Sequence, residues 1–154
     1  MNRSFTISGF GFSVRKVTPL AMYNFLKNHR SSIDEEATEL LEFIDNPSAT
    51  KDDINNMYDT FDYMECEMTC DQGLNTMIAN IMARETDINF EYHTDGDSDY
   101  DTDIVILPES MPWQYTETEK QLTEETLTQI CSKYTKELGL VDTNIGICTI
   151  EYYS

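Results

Sequence analysis

The chain has no acidic residue before position 34, although 29 of its 154 residues are Asp or Glu. Only ten Lys and Arg oppose them, and five of these (Arg3, Arg15, Lys16, Lys27, Arg30) lie in the acid-free opening. Every acid and only five bases therefore fall in residues 34–154, and the formal net charge is −19. So little positive charge argues against direct binding to nucleic acid or anionic membranes, both of which select basic patches. Long apolar runs are missing as well. The stretch from Phe5 to Val14 is broken by Ser and Gly and runs straight into Arg15-Lys16. It matches neither a membrane span nor a secretory leader. The expected compartment is the cytosol, where Cys66, Cys70, Cys131 and Cys148 read as reduced thiols.

Catalytic signatures are scarce too. The two histidines, His29 and His93, stand in unrelated contexts, with no nucleophile elbow, phosphate-binding glycine loop or metalloprotease motif nearby. Gly9-Phe10-Gly11 belongs to a strand-like run and is no dinucleotide fingerprint. Cys66 and Cys70 approach a structural zinc spacing, with His93, Cys131 and Cys148 as the residues that would complete a site. No second close Cys/His pair exists, however, and Cys131 falls on the apolar face of a helix. No enzymatic activity, metal or cofactor is expected.

What the chain does have is apolar periodicity. Apolar residues make up 40% and aromatics 11%, with nine Tyr and seven Phe, too many for a disordered acidic chain. Residues 1–154 fit a single domain, burying roughly 68–70% of the extended-chain surface. Phe5 to Val14 reads as one kinked strand or a short hairpin, because the apolar parity switches across Gly9. Thr18-Pro19 opens a helix to about Arg30, with Leu20, Tyr23 and Leu26 plus Met22 and Phe25 on its apolar faces. Ser32-Ile33-Asp34-Glu35 reads as a capping box for a second helix carrying Ile33, Ala37, Leu40, Leu41 and Ile44, stopped at Asn46-Pro47. Thr50 caps a third, short helix with Ile54, Met57, Tyr58 and Phe61. Thr69-Cys70-Asp71-Gln72 is a further capping-box pattern ahead of the stripe Leu74, Met77, Ile78, Ile81, Met82.

The period then changes to two. Ile88, Phe90 and Tyr92 alternate with polar residues as a half-exposed strand, and Ile104 to Leu107 is its expected antiparallel partner. Pro108 and Pro112 bracket an irregular segment ending at Trp113. One long helix is expected from there to Leu138, with Leu127, Ile130, Cys131, Tyr134 and Leu138 on one face and Gly139 as its stop. Ile145 to Tyr153 reads as a last strand. The order β-αααα-ββ-α-β predicts an α+β domain with helices packed on a small, mainly antiparallel sheet.

Residues 34–103 hold 21 acids against Lys51 and Arg84. Within them Asp95, Asp97, Asp99, Asp101 and Asp103 alternate strictly with other residues. In an extended loop they would line one side, roughly 6.6–7 Å apart. In sign and spacing such a row imitates backbone phosphates, whose neutralisation by Lys and Arg gives nucleic-acid-binding proteins much of their affinity. An EF-hand does not fit: Tyr100 stands where glycine is required and Ile106 where a bidentate Glu is required. Looser calcium binding remains an alternative for this loop. Phe61 reads as core and Trp113 as a partly buried anchor. The other reading for aromatics set among acids is an interface in which they anchor and the acids steer.

In size, net charge and acid-studded helices over residues 34–103, the chain resembles the small acidic nucleic-acid mimics by which phages and other mobile elements block host restriction or CRISPR effectors. Its basic first 33 residues depart from that pattern. The expectation is a non-enzymatic inhibitor that binds a basic nucleic-acid-binding protein such as a defence nuclease. The contact surface would comprise Glu35, Glu36, Glu39, Glu42, Asp52, Asp53, Asp59 and Asp62, together with Asp95, Asp97, Asp99, Asp101 and Asp103. Two alternatives are an immunity or antitoxin protein that neutralises a basic toxin, and a small metal-binding module or enzyme using the aspartate loop.

Overall fold

A computed structural model describes residues 4–62, 73–94 and 103–153. It is an α+β fold in which seven α-helices among the described residues pack with a four-stranded antiparallel sheet. The first strand, β1 (Ser4–Ser13), lies inside the sheet, whose order is β2-β3-β1-β4. It pairs with β3 (Ile104–Pro108) on one side and with β4 (Gly146–Tyr153) on the other; β2 (Glu91–His93) flanks β3.

The parity switch in β1 has a different origin from the expected bulge or bend. Register with β4 runs one-to-one from Ser4↔Tyr153 to Gly11↔Gly146, so no residue is inserted. Instead the strand is apolar on both faces. Phe10 and Phe12 join the main core with Val105, whereas Ile7 joins Ile104, Ile106 and Ile150 in a second, small cluster. Gly9 and Gly11 fall on the Ile7 side. A Cβ at Gly9 would stand 2.3 Å from the Leu107 carbonyl oxygen, and one at Gly11 would stand 1.8 Å from that of Val105. Two-sided burial also explains why Ile104-Val105-Ile106-Leu107 is a continuous apolar run.

The helices follow their caps. Thr18 Oγ1 accepts from Ala21 N (3.2 Å) and Pro19 occupies the first turn of α1 (Pro19–Asn28). Met22, Tyr23, Phe25 and Leu26 are buried, but Leu20 is 57% exposed. The second helix starts later than expected. α2 covers Thr38–Asp45, and Ser32 ends a 3-10 turn (Arg30–Ser32) in which its hydroxyl donates to Glu85 rather than capping. The expected third helix is two, α3 (Lys51–Asn55) and α4 (Met57–Asp62), broken at Asn56, a residue type that favours caps over helix interiors. Thr50 caps α3 in a complete capping box with Asp53.

α5 (Leu74–Thr86) starts from Gly73, whose φ of 80° suits glycine; the pattern at residues 69–72 lies outside the described residues. Its stripe is buried as expected. The long helix is also two. Thr116 forms a capping box for α6 (Glu117–Lys120), and Thr123 caps α7 (Glu124–Glu137), so two start signals interrupt the run. α7 ends in a Schellman motif: Gly139 N donates to Lys136 O (3.1 Å) and Leu140 N to Thr135 O (2.8 Å), with Gly139 at φ 73°. Among the described residues no helix is long and apolar enough to cross a membrane.

Candidate functional site

The acids after the first helix split into two sets by what they touch. On α2, Leu40 and Ile44 turn inward at helical spacing, which carries Glu39 and Glu42 outward. Glu35 and Glu36 occupy the exposed turn before it, Asp52 the first turn of α3, and Asp59 that of α4. All six are exposed, and no ion pair reaches any of them among the described residues. Lys51 is the one base between residues 34 and 62. These six carboxylates, on α2, α3 and α4 and in the turn before α2, therefore reach solvent without an opposing side chain.

Other nominated acids are engaged internally or lie beyond description. Asp53 is part of the α3 cap: its Oδ2 accepts from Thr50 N (2.8 Å) and its own N–H donates to Thr50 Oγ1 (3.1 Å). That backbone bond holds its carboxyl below the usual range. Asp103 accepts from the half-buried Tyr92 hydroxyl at 2.9 Å, while its carbonyl accepts from Val14 N. Burial, with Asp103 adjacent, pushes the Tyr92 phenol up to about 12. Asp62 ends α4. Asp95, Asp97, Asp99 and Asp101 lie outside the described residues, as do Cys66 and Cys70.

Among the described Lys and Arg of the basic opening, Arg30 forms an ion pair with the acidic body, and that pair is bidentate. Arg30 Nε and Nη2 each lie 2.7 Å from an Asp45 oxygen. Arg84 reaches Asp34 at 3.3 Å. Neither pair involves the six outward acids.

A polar cluster with no motif to mark it joins three helix ends. His29, just past α1, presents Nδ1 to Glu85 Oε2 at 2.7 Å and Nε2 to Glu137. Glu85 also accepts from Ser32 Oγ (2.6 Å) and Tyr134 Oη (2.8 Å). The imidazole is flanked by the rings of Phe25 and Tyr134 and its side chain is 11% exposed. Burial opposes its charge, but the hydrogen bonds to Glu137 and Glu85 outweigh that and raise its pKa. Burial likewise opposes ionisation of Glu85, and its three donors reverse the balance, leaving its pKa lowered. Because Ser32 points at the carboxylate and not at the imidazole, this is no Ser-His-acid relay. The two Glu sit on opposite ring nitrogens, so they cannot converge on one ion. Among the described residues no His, Cys, Asp or Glu group is arranged to hold a metal.

The aromatics fall on both sides of expectation. Phe61 is buried. Trp113, expected as a partly buried anchor, is instead 76% exposed, with Met111 beside it at 55%. The segment ends in a 3-10 turn (Pro112–Gln114) that closes on its own hydrogen bonds and leaves the indole outside the core. Cys131 and Cys148 are free thiols, and burial pushes Cys131 up to about 12. No protein-family model, curated protein or solved structure matches the chain.

Proposed function

We propose that this protein is a non-enzymatic inhibitor that occupies the basic nucleic-acid groove of a bacterial defence nuclease or effector, in the counter-defence of a phage or mobile element. The observation that carries this reading is the set Glu35, Glu36, Glu39, Glu42, Asp52 and Asp59, all exposed and none ion-paired among the described residues. Stability alone gives little reason for unopposed acids at this density. Solubility is served by roughly 2–8 net charges on a small domain. A cationic groove built to neutralise phosphates gains from such unpaired negative charges, and the encounter is accelerated by the long-range field.

The test is capture from bacterial cytosol at low salt, followed by a nucleic-acid-binding assay on the recovered partner. The partner is expected to bind nucleic acid and to lose it on stoichiometric addition of this protein. Affinity should fall steeply between low and moderate salt. The combined variant Glu39→Gln/Glu42→Gln/Asp52→Asn/Asp59→Asn should bind about tenfold or more weakly, with its Tm unchanged or raised. Asp97→Asn/Asp99→Asn/Asp101→Asn should act in the same direction; unchanged affinity would remove the loop from the contact surface. A partner that keeps its nucleic acid when saturated, or equal affinity of the four-site variant, overturns the reading.

A further inference from the structure

We infer that the turn carrying Met111 and Trp113 is an anchor for a basic, partly apolar protein segment, one that sets an Arg or Lys beside an apolar side chain. This rests on the inhibitor reading and names the chemistry of its partner. Three observations lead there.

The turn is held rigid from within. Ser110 N donates to Tyr115 Oη (3.1 Å), and Gln114 Oε1 accepts from both Ser110 Oγ (2.7 Å) and Met111 N (3.1 Å). Gln114 N closes on Met111 O (2.9 Å), Pro112 fixes the first position, and Glu109 N is tied to Ser8 O (3.0 Å). These bonds order the backbone that carries Trp113 and Met111, so a partner would not have to offset that part of the ordering cost. Tryptophan is among the residue types that dominate interface hot spots.

The turn also walls a cleft of about 630 Å³, with Ser110, Gln114 and Tyr115 on that side and Phe90, Leu107 and Pro108 among its apolar lining. This lining suits the methylene stem of a long side chain.

Charge selects the head group. Glu109 and Glu91 also line the cleft. Glu91 is met by His93 (2.8 Å), whereas the exposed Glu109 has no ion-pair partner among the described residues. The neighbouring Glu117 is answered by Lys120. A turn that carries exposed apolar side chains and walls a cleft with an open carboxylate, on a molecule of net charge −19, favours a cation over a purely apolar or acidic ligand. A second copy of this chain brings the same negative field and is disfavoured.

Trp113 is the single tryptophan of the chain, so its emission reports this surface directly. The probe is a tryptophan-free peptide of alternating Arg and Leu, compared at low salt with a Ser-Leu peptide of equal length. Binding of the basic peptide should shift the emission to the blue and reduce its quenching by acrylamide, and the Ser-Leu peptide should do neither. By calorimetry, Trp113→Ala should weaken the basic peptide roughly tenfold without moving Tm. Glu109→Gln should weaken it several-fold and flatten the salt dependence. If the basic peptide binds by calorimetry but the emission stays that of a solvated indole, the anchor is elsewhere and the inference fails. It fails equally if the Ser-Leu peptide binds as well, or if dilution of the protein alone reverses a blue shift, since the occupant is then a second copy. Loss of nucleic-acid competition by the captured partner would remove the inhibitor reading without altering any of these peptide results.

Discussion

His29 is the residue whose ionisation is written most directly into the packing. It holds Glu85 at the end of α5 and Glu137 at the end of α7, and only the imidazolium can donate to both. Its pKa is raised above 6.5, so its contribution is complete below about pH 6.5 and is lost as pH rises through the folded value. Glu85 has the opposite sign. With its pKa lowered below 4.5, its contribution is present above about pH 4.5 and lost as pH falls through the folded value. Thermal melting should therefore show highest stability between about pH 4.5 and 6.5. In His29→Gln the decline on the alkaline side should be shallower than in the wild type. Identical pH profiles would remove the imidazolium from the account. Nothing in the local sequence around His29 announced this cluster, because its members come from positions 29, 32, 85, 134 and 137. One faint signal existed: acids in the last turn of a helix oppose the macrodipole, and both Glu85 and Glu137 sit there.

Among the elements, β1 shows what periodicity could and could not convey. Its existence and limits were readable from Phe5 to Val14, and so was the oddity at Gly9. The bulge was the wrong explanation, because a switch in apolar parity arises equally from a strand buried on both faces with glycines on one of them. Deciding between those needs the partner strand, and β3 is far along the chain. The geometry makes a sharp prediction. Gly11→Ala would drive a methyl into the Val105 carbonyl and should cost about 3 kcal/mol or more, read by urea unfolding. Gly146→Ala, on β4 directly opposite, meets nothing within 4 Å and should change stability by about 1 kcal/mol or less. Comparable losses at both sites would show that flexibility, and not close approach, is why glycine stands at Gly11. The helix ends divide in the same way. Caps that are local, at Thr18 and Thr50 and at Gly139, could be read from the residues themselves. Ser32 could not, since its hydroxyl is claimed by Glu85 from another helix. Trp113 misled for a related reason: aromatic character marks burial only where the surrounding segment has a core to face, and this one folds back on its own side chains.

For the molecule as a whole, the His29 cluster apart, most of the charge stands outside the packing. The two core clusters are built of apolar side chains, and the six acids on and before α2 to α4 are exposed. Their mutual repulsion opposes the compact state and is screened within about 10 Å at 0.1 M salt. Raising sodium chloride from 0.05 to 0.5 M should therefore lift Tm by roughly 3–6 °C, as a gain of 1–2 kcal/mol would at this chain length. The four-site variant proposed above should respond less. A flat salt response in the wild type would mean that the acids are spaced widely enough not to feel one another.

The strand order has a consequence for how the chain reaches this state. β1 precedes both of its neighbours by a long stretch of chain, Ser13 waiting for Ile104 and Gly11 for Gly146. Helices α1 to α5 emerge in between and can bury their stripes on one another early. The sheet, with its distant pairings, must close late and slowly. Until then the Phe10, Phe12 and Val14 row has no sheet to lie in, a condition that invites nascent chains to associate. The 21 acids of residues 34–103 are made before β3 is complete, and their mutual repulsion opposes that association, whatever the finished protein binds.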